Sequence, residues 1–326
     1  VEDFSPTTGN NPTVQNEGTI DRDQDDWIPN VVFRNYSMPI TFDCGVSGCA
    51  STGGGSDDSI QTMFDMGLME CYGFAFFEAR KTATNLLAPS DSFLSGQPRE
   101  GFYCPMCHWL LAMGYSPYIN HPIVADKSSY ETAATAASFA FEQAHSERSN
   151  PPLSLKELGL IDAMNLRFHP SFANQTVGYV SYSQELKDLH ETIVLADGKG
   201  DPDVIGFLAD SIMILHCDNE GYRFYDETDQ QTPKPEIAYA IRLLEDCLEI
   251  SPDHPLCQHL YIHVTEPSEN LPAHKAGTVA DRLSEGSYAT EAQHLQHMPS
   301  HTYLRIGRYH DAVASNIVAH ESDEAY

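Results

Sequence analysis

Eight of the 15 histidines in this 326-residue sequence lie between positions 254 and 310. Their spacing is what an α-helix would need to bring imidazoles together. Each helical residue advances by about 100°, so His259, His263 and Glu266 fall at about 0°, 40° and −20° on one narrow face. His294, His297 and His301 share a similar arc on a second helical stretch, which Pro299 is placed to bend. Imidazole is a good ligand for zinc, copper, iron and nickel, and two histidines at i and i+4 can grip one ion. Two such faces on neighbouring helices predict a metal site built from His259, His263, His297 and His301. His108 and His216 are the best ligands from outside this region, with His121 in reserve. A buried polar network without metal, or a groove for a peptide or sugar, would also use such side chains.

Two pairs of histidines point to a dinuclear site rather than a four-cysteine structural zinc site, and copper is favoured over zinc. Cys257-Gln258-His259 has the one-residue cysteine–histidine spacing of the thioether crosslink found in some coupled dicopper proteins. The weightier reading of Cys257 is a disulfide with Cys247 across a helix turn. Cys104-Pro105-Met106-Cys107 has no second CxxC to complete a zinc site and no βαβ pattern for thioredoxin-like chemistry. It reads as a disulfide, either between its own two cysteines or with Cys71 and another. Cys44 and Cys49 flank Gly45 and Gly48, which suits a small disulfide loop. The chain contains no GxSxG, HExxH, phosphate-binding loop or GxGxxG. Asp23 to Asp26 and Asp57-Asp58 lack the spacing of a calcium loop.

Those side chains need helices to position them, and the sequence supplies helices from about residue 58 onward. Ile60, Met63, Phe64, Gly67 and Leu68 recur at three and four residues. Helical stretches follow near 74–87, 103–113, 129–147, 153–167, 178–196, 202–216, 235–250, 254–265, 269–284, 289–305 and 308–322. Short links carrying proline or Asp-Pro join them, which predicts an all-α solenoid of stacked antiparallel helical hairpins. Residues 1–57 are different. They are rich in Asp, Asn, Thr, Gly and Pro, with short extended runs at 27–36 and 39–42, and read as an N-terminal arm that leads into the helical domain at 58–326.

Leu304-Arg305-Ile306-Gly307-Arg308-Tyr309-His310-Asp311-Ala312 and Leu243-Leu244-Glu245-Asp246-Cys247-Leu248-Glu249-Ile250-Ser251-Pro252 resemble the tetratricopeptide repeat (TPR). In that family a glycine lets two helices approach, an aromatic residue fills the gap, alanine packs opposite, and proline ends the second helix. Tyr72 to Ala79 and His108 to Met113 are a weaker echo. The stretches His254-Pro255, His259 to Glu266 and His294 to Tyr303 are similar to a poorly characterised TPR group with a histidine-rich helix pair. That resemblance implies a fold without implying an activity.

The formal charge of −29, from 18 Lys and Arg against 47 Asp and Glu, argues against a nucleic-acid partner. No apolar run of 18 residues would span a membrane. The opening Val1-Glu2-Asp3 reads as if a leader had been removed, and the eight cysteines are an even number. With the sequons at Asn35 and Asn174, these features predict a secreted glycoprotein carrying N-linked glycans. Tyr326 falls inside a repeat-like helix. An uncapped last hairpin, or the 1–57 arm reaching a neighbouring copy, predicts self-association into oligomers or fibrils. The function expected is therefore a secreted, self-associating, metal-binding repeat protein. The alternatives are a metalloenzyme, either a dicopper oxidase or a dinuclear hydrolase, and a metal-free peptide-binding scaffold.

Overall fold

The computed structural model describes residues 36–43, 58–87, 102–146, 152–168, 170–218, 220–286 and 292–325. Contacts divide the chain into residues 1–30 and residues 31–326, and all described residues belong to the second unit. Residues 27–35 of the extended run expected at 27–36, among them Asn35, and the Cys44–Cys49 loop lie outside the described residues.

The described chain is all-α apart from one short hairpin. Its helices are α1 (Asp58–Tyr72), α2 (Phe76–Leu87), α3 (Pro105–Gly114), α4 (Lys127–Ala144), α5 (Leu155–Arg167), α6 (Gln175–Asp197) and α7 (Pro202–Ile214). After the hairpin β1 (Cys217–Asp218) and β2 (Gly221–Tyr222) come α8 (Pro235–Ile250), α9 (Pro255–Thr265), α10 (Ala273–Glu285), α11 (Gln293–His297), α12 (Pro299–Arg305) and α13 (Tyr309–Ala325).

Local chemistry sets many of these boundaries. Ser154 and Glu157 form a reciprocal capping box at the start of α5. The Asp201 side chain accepts from the amides of Asp203 and Val204 ahead of Pro202, the first residue of α7. Gly198 ends α6 in a left-handed conformation with φ 74°. His254 caps α9 by accepting from the Cys257 amide. The expected helix at 289–305 is two pieces, because Pro299 has no N–H to continue the ladder.

From α1 to α10 each helix packs on the next in sequence, and α1 also touches α3, α3 touches α5, and α7 touches α9. Neighbour-on-neighbour packing of this kind is what a stack of helical hairpins requires. One contact joins elements far apart in sequence: α1 packs on α9. Helix α9 also touches α7, α8, α10 and α12, and every one of its residues is buried. Gly206 permits part of this crowding, since a Cβ there would stand 2.9 Å from Leu256 Cδ2. The polar side chains of α9 are thus in the interior, where each requires a partner.

Residues 36–43 lie on this helical body. Met38 is buried in the core, its amide donates to Asp65, and the Thr41 amide donates to Glu157 at 2.6 Å. Asp43 pairs with Tyr103 through two 2.8 Å backbone hydrogen bonds.

Candidate metal centre

His259 and His263 stand one turn apart on α9, with their Nε2 atoms 3.1 Å from each other. The partners of the opposite ring nitrogens assign the tautomers. His259 Nδ1 is 2.6 Å from the Tyr72 carbonyl oxygen, which can only accept, so Nδ1 carries the proton. His263 Nδ1 is 3.1 Å from the Tyr222 hydroxyl, whose own proton is donated to Asn120 Oδ1. The hydroxyl oxygen therefore accepts from His263. Both Nδ1 sites hold hydrogen, and two Nε2 lone pairs face each other in the core.

His294, at the start of α11, completes the group. One ligand atom from each of His259, His263 and His294 lies within 4.8 Å of the other two. His294 Nε2 is buried with no hydrogen-bond partner. Burial holds the pKa of His259 and His263 well below the usual histidine value, and the neighbouring imidazoles push the same way. Burial, then His297 and His301, lowers His294 to about 4. All three rings are consequently neutral near pH 7, the state in which imidazole donates a lone pair to a metal. Two imidazole nitrogens on a tetrahedral first-row ion stand about 3.3 Å apart, close to the separation of the His259 and His263 Nε2 atoms.

A second pair lies beside the first. His297 and His301 face each other through Nε2 at 2.9 Å. Their ring centroids stand 6.0 Å from His294 and 6.1 Å from His263, respectively. The sequence expectation joined His259 and His263 with His297 and His301. The structure groups the rings as three and two, with His294 in the inner set.

His108 and His216 are not brought to this group. His108 packs against Phe139 with ring centroids 5.8 Å apart, and His216 faces Glu236 at 3.9 Å. His121 lies against Tyr118, to which it is joined by a backbone bridge. Cys247, His254 and Cys257 also crowd together. Their sulfurs are joined as the expected disulfide, which leaves Cys257 no sulfur for a thioether to His259. His254 is engaged at both ring nitrogens, by the Cys257 amide and by Asp203. Cys104 and Cys107 pair with each other.

The supporting residues were harder to foresee. Phe74 has φ 58°, a left-handed conformation that is costly for a bulky side chain. Its ring lies 4.2 Å from His259, 5.7 Å from His263 and 5.4 Å from His294 by centroid. Tyr222 reaches His263 from the β1–β2 hairpin, which the sequence reading did not contain. The polar stretch around Gly221, with φ 127°, was the available turn signal.

No family model matches this chain, and none of the curated proteins compared with it is similar. Its histidine groups have the composition and spacing to bind a metal ion.

Proposed function

We propose that this chain is a secreted, TPR-like metal-binding glycoprotein whose primary centre is His259, His263 and His294, with copper favoured over zinc. One observation carries the reading. Three neutral imidazoles converge in the interior, at least two of them with Nε2 lone pairs turned towards each other. Facing lone pairs repel, and a cation removes the conflict. Three imidazole donors suit copper, zinc and nickel, and Cu²⁺ binds nitrogen sites most tightly among the divalent first-row ions.

Other features support the wider reading. The Cys104–Cys107 and Cys247–Cys257 disulfides favour an oxidising compartment. Asn174 is exposed within its sequon, as a glycan acceptor must be. No helix among the described residues is long and apolar enough to cross a membrane. Val313, Ile317 and Val318 of α13 are exposed, an apolar face that supports self-association.

Elemental analysis of natively purified protein, with copper and zinc titrations, tests the reading. The expected result is near-stoichiometric copper or zinc that is lost in H259A and H263A. Native protein without copper or zinc, and without affinity for either in titration, overturns it.

One observation favours a catalytic variant of the same centre. A cavity of about 700 Å³ is lined by Asn120, His121, Ile123 and Tyr222, and so borders the hydrogen bonds that hold His263. Absorption bands that depend on oxygen would support a dicopper oxidase, and turnover of an ester or phosphoester would support a hydrolase.

A further inference from the structure

We infer that His297 and His301 form a second, separately exchanging site for a divalent first-row ion, held by Glu266 and Asn316 at the mouth of the buried centre. This rests on the reading of the inner histidines as a metal centre and adds to it a site of different composition and exposure.

Both rings of the outer pair are held at Nδ1 by acceptors. His301 Nδ1 is 2.7 Å from Glu266 Oε1, and a carboxylate accepts. His297 Nδ1 is 2.6 Å from Asn316 Oδ1. The Asn316 amide is fixed in that sense, because its Nδ2 donates to the Ala312 carbonyl at 2.8 Å. Each ring therefore spends its Nδ1 proton on a firm acceptor. The two Nε2 lone pairs are left 2.9 Å apart and aimed at each other. Glu266–His301 is the carboxylate–histidine pairing that orients metal ligands and raises their basicity. Arg305 fixes the support by donating to the backbone carbonyls of Glu266 at 2.8 Å and Ser268 at 2.5 Å. That ties α12 to the end of α9.

Exposure separates the two sites. The side chains of His301 and Glu266 are 28% and 29% exposed, whereas His259 is 0% and His263 3% exposed as whole residues. An ion on two histidines with water access keeps open coordination positions and exchanges readily. The inner set lies under Phe74 and inside the helical stack. The strongly negative chain raises the local concentration of cations for both. A proton shared between His297 and His301 is the rival explanation of their approach, and it predicts no additional metal.

Cobalt(II) and zinc(II) titrations of the full-length protein decide between them, with a chelator chase to follow release. Wild type is expected to bind two equivalents, one released quickly and one slowly. H297A and H301A should bind only the slow equivalent. E266Q should retain both while weakening the fast one by about 10–100-fold. If wild type binds one equivalent and H297A and H301A match it, the outer site is overturned and the inner centre stands. If wild type binds none, the inner centre falls, and the outer site falls with it. Circular dichroism that matches wild type shows that a lost equivalent is not a loss of fold.

Discussion

His259 donates its Nδ1 proton to the Tyr72 carbonyl oxygen at 2.6 Å, across 187 positions of sequence. This bond runs from α9 to the last residue of α1, so the packing of those helices sets the ring's tautomer. Tyr72 is itself held at its other end, where its hydroxyl donates to the buried Asp203 at 2.6 Å. His254 Nε2 is 3.1 Å from the same carboxylate oxygen, and Lys156 and Tyr36 also bond to Asp203. The inner centre is thereby joined to a buried polar network by one tyrosine.

The corresponding support for His263 can be removed without touching the backbone. Tyr222→Phe deletes the hydroxyl that accepts from His263 Nδ1 and donates to Asn120. Loss of such an outer partner typically weakens metal binding by about 10–100-fold. Competition against a chelator of known affinity should show that loss in the tightly held equivalent, with the fold unchanged by circular dichroism. Affinity equal to wild type would mean that the hydroxyl does not orient the ring.

The part of the site that was legible in sequence is the part that is local. His259 and His263 share a face because four residues is nearly one helical turn, and Pro299 marks the break between α11 and α12. The Cys247–Cys257 pairing was readable for the same reason, since its cysteines flank one helix connection. What the sequence could not show is which distant elements meet. His294 shared an arc with His297 and His301, yet its place with His259 depends on how α11 sits against α9. Phe74 and Tyr222 reach the rings through the α1–α9 contact and an unforeseen hairpin. His108 and His216 were plausible as polar groups in apolar helices, and one lies against Phe139 and the other opposite Glu236.

Phe74 separates a backbone cost from a side-chain contribution. Its φ of 58° would be free of strain for glycine, while its ring covers three histidines. Phe74→Ala keeps the conformational cost and loses the ring. Phe74→Gly loses the ring and relieves the backbone. Both variants should release the inner ion faster than wild type. Phe74→Gly should be the more stable of the two by about 1 kcal/mol in denaturant unfolding. Equal stabilities would show that the backbone at 74 relaxes once the ring is gone.

The Cys247–Cys257 bridge closes a ten-residue separation and ends two residues before His259. Loop-closure entropy assigns such a crosslink about 2–3 kcal/mol. The C247S/C257S double variant should lose about that much stability in urea, compared with wild type under non-reducing conditions. Mass analysis after reduction and alkylation adds an independent check. Cys257 should take up the alkylating reagent, because its partner is Cys247. A Cys257 that stays unmodified after reduction would be evidence for a crosslink to another side chain instead.

His108 gives the helical body an acid sensitivity separate from the metal centre. Burial lowers its pKa from 6.5 to about 4, and its ring packs on Phe139. Between those values the unfolded chain takes up a proton at this position that the folded chain refuses. Unfolding is then proton-coupled, and stability rises with pH. The contribution is fully present above about pH 6.5, falls as the pH drops, and levels off near pH 4, where both states are protonated. At pH 5 it should amount to about 1–2 kcal/mol. His108→Phe removes the titrating group while keeping an aromatic ring against Phe139. Urea unfolding at pH 7 and pH 5 should show a smaller stability loss for the variant than for wild type. Losses of the same size would assign the acid sensitivity to His259, His263 and His294 instead, whose burial acts in the same direction.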